Sequence, residues 1–367
     1  MKLSYLRHVY VRMCWFWVVA MLAVQARAEI PVAIPFYPDK MELLSWRDTN
    51  GQPHRITTPA DWPQRREHIL AGMQAVMGEL PTTLVRHDLA IEVLSREDLP
   101  TVTRQKILYQ AGPGDRIPAY LLIPKKLAGR APAMLCLHGT GGSRGRTAGL
   151  GDDYPRYALE LAERGYVTIA PDYTLLGENQ TDPETVGYVS GTMKGIWSHI
   201  RAVDLLTSLP EVDPGRIGCI GVSLGGHNSL FVGAFDQRLK VIVTSSGFDS
   251  FQDYMNGDLT GWCQTRYMPR IANVYGKDPH KVPFDFPEVL ATIAPRAIYI
   301  HAPQSDSNFQ LESVKRCVKA AQSVYECLGA GEQLVAAYPP GEHGFPLEAR
   351  LDAYAFVDRV LRSASEP

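Results

Sequence analysis

Apolar and polar positions follow two rhythms along this chain, and the change from one to the other divides it. From about Thr101 onward, short apolar runs alternate with segments in which apolar residues recur every third or fourth position. The runs "PAMLCLHG", "YVTIAPDY", "RIGCIGVS", "LKVIVTSSG", "RAIYIHAP" and "QLVAAYP" read as buried strands. The segments "YPRYALELAERG", Gly187 to Leu209, Leu224 to Phe235, Leu311 to Leu328 and Leu347 to Leu361 read as helices. Before them, "KILYQAGPGDRIPAYLLIP" is a hairpin signal around Gly112-Pro113-Gly114-Asp115. Short apolar strands alternating with helices predict an α/β protein, with a doubly wound, mostly parallel sheet covered on both faces.

Two regions depart from this rhythm. Residues 29–86 are proline-punctuated, with one helix predicted after Asp61 as N-cap and Pro63 in the first turn, where Ile69, Met73, Val76, Met77 and Leu80 recur at helical spacing. They are expected to form an N-terminal helical arm on a catalytic domain spanning 87–367. Within that domain, Gly247 to Phe286 passes without a strand yet carries Phe248, Phe251, Tyr254, Trp262, Tyr267 and Tyr275. A loop of this length is expected to be a lid-like insertion walling a substrate site, or a packed cap.

Composition and charge add a compartment. Lys2, Arg7 and Arg12 precede the apolar run Met13 to Val24, which ends in Ala26-Arg27-Ala28. This is the layout of a signal peptide over 1–28, with cleavage before Glu29, and the run is shorter than the roughly 20 residues of a membrane-spanning helix. The expectation is an exported protein, periplasmic or extracellular, with no membrane association after cleavage. A 367-residue chain with 45% hydrophobic content can bury a large core, and a net charge of −2 gives no pull toward nucleic acid. After Cys14 leaves with the signal, five cysteines remain, an odd number that excludes a complete disulfide framework. No CxxC or HxxxH spacing suggests a metal site.

The chemistry begins at "GCIGVSLGGHNS". Gly221-Val222-Ser223-Leu224-Gly225 is a G-x-S-x-G sequence with a strand running in and a helix running out, the context in which such a serine stands exposed on a sharp turn. A serine hydroxyl needs a base, and the base a carboxylate. His343, in the glycine- and proline-rich "YPPGEHGFP" directly after the last strand, is the expected base; His301 is in reserve, and His227, on the helix after Ser223, is expected to point away from the tip of the turn and to pack or support the site from behind. For the carboxylate, Asp306 and Asp249 both lie between Ser223 and His343. Asp306 is preferred because its loop should border that of His343, and Asp249 is the competitor. Asp172 precedes the serine and reads as structural. "HGTGGSRG" after the first buried parallel strand offers close-approaching N–H groups; Thr140 there, with Leu224, is expected to form an oxyanion hole. That loop lacks the endings of a nucleotide cradle.

"HGTGG", "GVSLGG", an "SD" after a late strand and "GEHGFP" together resemble the α/β-hydrolase superfamily over roughly Thr101 to Leu361. "DPGRIGCIGVSLGGH", the "APR" before the late strand and the N-terminal arm are similar to exported bacterial hydrolases of the dienelactone-hydrolase and acetyl-xylan-esterase-like branch. The resemblance implies an α/β-hydrolase fold and a serine-dependent carboxylic ester hydrolase, without metal or organic cofactor. It further implies acetyl or other short acyl esters, small-molecule or on carbohydrate, as substrates. The chain departs from the pattern in its loop HGTGG, which is without the bulky residue seen in several deacetylases, and in the segment Gly247 to Phe286. Trp262, Arg266 and Glu178 are candidates for substrate binding. A glucuronoyl esterase, a peptidase of the prolyl-oligopeptidase type and a non-catalytic binding protein on the same scaffold are the alternatives.

Overall fold

A computed structural model of the chain describes residues 34–81, 88–151 and 154–362. The signal peptide expected over 1–28 and its expected cleavage position lie outside the described residues. The order begins with a small hairpin, β1 (Ser45–Arg47) and β2 (Pro53–Arg55), then α1 (Trp62–Met77). A nine-stranded sheet follows, built from β3 (Glu92–Asp98), β4 (Val102–Gly112), β5 (Asp115–Pro124), β6 (Ala131–Leu137), β7 (Val167–Pro171), β8 (Val212–Val222), β9 (Leu239–Ser245), β10 (Ala297–His301) and β11 (Leu334–Ala337). The helices among them are α2 (Tyr157–Glu163), α3 (Gly191–Ser208), α4 (Leu224–Phe235), α5 (Arg270–Asn273), α6 (Phe286–Ile293), α7 (Leu311–Cys327) and α8 (Leu347–Arg362).

The spatial order is β11-β10-β9-β8-β6-β7-β5-β4-β3, parallel from β11 to β7 and antiparallel beyond it. Alternation along each strand sorts its side chains to two faces. Met134, Cys136, Ile220, Val222, Val241 and Val243 pack with α2 and α8 through Tyr157, Leu161, Phe356 and Val357. Ala133, Leu135, Ile217, Cys219 and Ile242 pack with α3, α4 and α6 through Ile196, Ile200, Phe231 and Leu290. Both faces are therefore buried, which is why these strands are apolar throughout rather than alternating. The strand order reverses at β6, between β7 and β8, and the crevice at the carboxyl ends of strands around such a reversal is where α/β sheets place their ligands.

Three local features sharpen the expectations. Asp61 stands at the N-cap position of α1, as expected, but its side chain caps no helical N–H: the helix is entered through a 3₁₀ turn over Pro59–Asp61 capped by Thr58, and the Asp61 carboxylate reaches back to accept the N–H groups of Thr57 and Thr58 (3.1 and 2.9 Å). Acid three residues after threonine is a capping box, and it shifts the helix start upstream. The periodic reading contained no strand at Glu92–Asp98, because β3 is an edge strand exposed on every residue and so has no apolar alternation. Residues 247–286 hold 3₁₀ turns at Tyr254–Gly257 and Leu259–Trp262 and the short α5, and Phe248, Phe251 and Trp262 from this segment are buried against Phe284 and Phe286. The arm carries more than packing: Arg65 of α1 and Glu288 of α6, both fully buried, form an ion pair at 2.5 Å, and the Arg65 guanidinium lies 3.4 Å from the Tyr37 ring centroid. Removing one partner of such a pair strands a buried charge, at a cost of about 3–5 kcal/mol.

Candidate active site

β8 runs out of the sheet at Val222 and α4 begins at Leu224, so Ser223 alone makes the turn. Its backbone sits at φ 56°, ψ −120°, a conformation costing of order 1–3 kcal/mol for a residue with a side chain. The flanking glycines permit it by close approach. A Cβ on Gly221 would stand 2.2 Å from the Gly225 carbonyl oxygen, and one on Gly225 1.9 Å from that of Leu137, so neither position accepts a side chain. The Leu224 N–H, at the first position of α4, has no carbonyl partner within the helix and adds to the positive end of its dipole.

His343 and Asp306 are brought together by two loops that run side by side. Ala302 N–H donates to Ala337 O (3.0 Å), Gln304 N–H to Pro339 O (3.0 Å) and Ser305 N–H to Gly341 O (2.8 Å), extending the β10–β11 pairing past the sheet. At the end of this ladder His343 Nδ1 lies 2.9 and 3.1 Å from the two Asp306 oxygens, and His343 Nε2 lies 2.9 Å from Ser223 Oγ. Asp306 also accepts the N–H groups of Asn308 (2.8 Å) and Phe309 (3.1 Å). Burial works to raise the carboxyl's pKa, but hydrogen bonds from His343 and the Asn308 N–H outweigh it and hold it below the usual value. An ionised Asp306 fixes the proton of His343 on Nδ1 and leaves the Nε2 lone pair facing the serine hydroxyl.

Asp249 sits elsewhere. Buried at the end of β9, it accepts one N–H, from Gln310 (3.0 Å), while its second oxygen has no partner. Burial, with Asp285, Asp253 and Asp306 nearby, pushes its pKa to about 8. His301 is also buried, at the end of β10, and hydrogen-bonds Ser245 rather than Ser223. For His227 the expectation of a side chain turned away from the site is corrected. It lines the same cavity as Ser223, its ring against Trp262 (4.8 Å) and Tyr267 (6.0 Å), because one helical turn past the elbow returns the side chain toward the insertion. Burial pushes its pKa to about 3, so it is neutral.

The loop after β6 is held from beneath. His138, buried, donates from Nδ1 to Gly139 O (2.7 Å) and accepts the Tyr173 N–H at Nε2 (2.9 Å), which fixes its neutral tautomer. Tyr154 Oη accepts the Gly139 N–H (2.7 Å), and Asp172 accepts those of Arg144 (2.7 Å) and Glu178 (2.8 Å). Thr140 and Leu224 then border, with Ser223, a cavity of about 130 Å³ walled by Tyr254, Trp262, Tyr267 and Phe309. Of the three substrate-binding candidates only Trp262 lines it. Glu178 pairs with Lys106 (2.7 Å), and Arg266 lies over the Tyr267 ring (5.5 Å) and accepts the Tyr173 hydroxyl on its carbonyl (2.7 Å). No local pattern in the sequence marks Tyr154, Asn308 or Phe309, whose places beside the site depend on which loops meet. A larger cavity, of about 900 Å³, borders His343 on the side of Tyr154, Arg156 and Glu342.

Parts of the chain are similar to known esterases. A family model for acetyl xylan esterase matches residues 83–256, and one for fungal glucuronyl esterase matches 184–329. YtaP of Bacillus subtilis (strain 168), named as a hydrolase, is 28% identical over 300 residues, covering 78% of this chain and 96% of its own. The 4-O-methyl-glucuronoyl methylesterase 1 of Wolfiporia cocos is 25% identical over 225 residues, 55% of this chain and 51% of its own. Among solved structures, a glucuronoyl esterase from Solibacter usitatus superposes with a TM-score of 0.69 at 22% identity, over 89% of this chain and 98% of that one. The chain has the α/β-hydrolase fold, is similar to acetyl xylan esterases over residues 83–256 and to fungal glucuronyl esterases over 184–329, and is a carboxylic ester hydrolase.

Proposed function

We propose that the chain is an exported carbohydrate esterase working through an acyl-enzyme on Ser223. The observation that carries this reading is the line Asp306–His343–Ser223, two hydrogen bonds of 2.9 Å at the mouth of a cavity walled by aromatic rings. His343 Nε2 takes the Ser223 proton as Oγ attacks the ester carbonyl carbon. The developing oxyanion receives the N–H groups of Thr140 and Leu224, donors of a kind worth about 3 kcal/mol each. His343 then passes the proton to the leaving alcohol, and water releases the acid by the same route with His343 again as base. Asp306 stays ionised and steadies the imidazolium.

The division of space suggests the substrate. A cavity of about 130 Å³ beside Ser223 suits a short acyl group such as acetyl, and the larger cavity bordering His343, where the alcohol must leave, has room for carbohydrate. A uronate ester, with the sugar on the acyl side, is the second reading, favoured by the match of residues 184–329 to the glucuronyl esterase family. Turnover of a chromogenic acetate ester by the mature protein and by Ser223→Ala tests the mechanism, with a loss of at least about 10⁴-fold expected; equal rates would overturn it. Acetylated xylan against a methyl glucuronate ester separates the two substrates. Export is checked by the mass of the mature chain, which should begin at Glu29.

A further inference from the structure

Ser245 connects the nucleophile to the base through a route the reaction itself does not use. It ends β9, which lies between β8, carrying Ser223, and β10, ending at His301, and it is fully buried. Its carbonyl oxygen accepts the Ser223 N–H (2.8 Å). Its hydroxyl donates to the carbonyl of Gly344 (2.8 Å), the residue after His343, and stands 2.8 Å from His301 Nδ1. A hydroxyl has one hydrogen, and here it points at Gly344, so His301 must be the donor to Ser245, protonated on Nδ1. His301 suits that task. It is buried and neutral, lies against Phe345 (5.8 Å between ring centroids, 28° between planes), and its carbonyl accepts the Ser246 N–H (2.9 Å).

We propose that Ser245, oriented by His301, is a positioning residue that ties the elbow of Ser223 to the loop of His343 and so sets the gap the proton crosses. The loop is anchored before His343 where Gly341 O accepts the Ser305 N–H (2.8 Å), and after it at Gly344, whose carbonyl accepts the Ser245 hydroxyl at 2.8 Å and the Ser246 hydroxyl at 3.3 Å. Loss of the Ser245 bond leaves the loop after His343 held at Gly344 only by the longer contacts to the Ser246 hydroxyl (3.3 Å each). Misplacement of a reacting group by about 1 Å can cost about 10²-fold in rate, so a partial loss of register is expected to show in kcat.

This inference rests on the proposed function, and its test separates the two. Steady-state turnover of a chromogenic acetate ester is measured for the mature wild-type chain and for Ser223→Ala, Ser245→Ala, His301→Leu and His301→Asn, each with a thermal melt. Ser245→Ala and His301→Leu should each lower kcat about tenfold, with KM within twofold of wild type and melting still cooperative. His301→Asn, whose amide nitrogen can occupy the place of Nδ1, should stay within threefold of wild type. If wild type turns over and Ser223→Ala does not, yet Ser245→Ala keeps kcat within twofold, Ser245 does not position the base and this inference falls alone. An effect on KM only, or a His301→Asn as impaired as His301→Leu, also overturns it. A wild-type chain indifferent to Ser223→Ala overturns the site assignment and this inference with it.

Discussion

Two aspartates stand at the ends of neighbouring strands, both buried and both between Ser223 and His343 in the chain, yet their chemistry is opposite. Asp306 receives His343 and two backbone N–H groups and is held ionised; Asp249 receives one N–H, faces three other carboxylates and keeps its proton up to about pH 8. Burial is common to both and so decides neither. What differs is the donors: Asp306 receives His343 first and then backbone N–H groups of the loop after β10, where it begins a turn whose next N–H groups fold back onto it. A carboxylate that is to steady an imidazolium must be charged at working pH, and only one of the pair is.

The widest separation should appear in turnover. Asp306→Asn is expected to lower kcat/KM by about 10³–10⁴-fold, because an amide cannot hold His343 in the required tautomer, whereas Asp249→Asn should stay within about threefold. A reversal of that order in steady-state assays would exchange the two roles. Next in size is a stability effect of the opposite sign. Below its unfolded value of 3.8 Asp249 is protonated in both states; from there to about 8 the unfolded chain releases a proton that the folded chain keeps, so the wild type loses stability as pH rises, by up to about 1.4 kcal/mol per unit. Asp249→Asn does not titrate, and its melting temperature should gain on wild type between pH 5 and pH 8. A gap independent of pH would mean the Asp249 carboxyl is ionised in the fold. The smallest effect belongs to Asp306, whose pKa is lowered on folding: its contribution is present above 3.8 and is lost as pH falls through the folded value. The destabilisation by Asp306→Asn, read by thermal melts, should therefore shrink as the pH is taken below 4.

The same pair shows what the sequence could and could not tell. The serine turn is legible because G-x-S-x-G between a strand and a helix is dictated locally: no side chain fits at Gly221 or Gly225. The parallel strands are legible because burial on both faces leaves an apolar run, while β3, exposed throughout, carries no such mark. Choosing between Asp306 and Asp249 is harder, since chain order admits both and only the pairing of the loops beyond β10 and β11 sets one beside His343. The place of His227 against Trp262 depends on a segment without periodicity, and Arg65 and Glu288 are far apart in sequence and meet only through tertiary packing. Glu178 and Arg266, plausible as sugar ligands by residue type, are already engaged with Lys106 and Tyr267.

The central claim is that Ser223 is the nucleophile and His343 its base, and covalent labelling reads both at once. Incubation of the purified protein with a fluorophosphonate, followed by peptide mapping by mass spectrometry, should give one adduct, on the peptide containing Ser223, formed at least about a hundredfold more slowly in His343→Ala. An adduct on another serine, or labelling at Ser223 that proceeds equally fast without His343, would contradict the account.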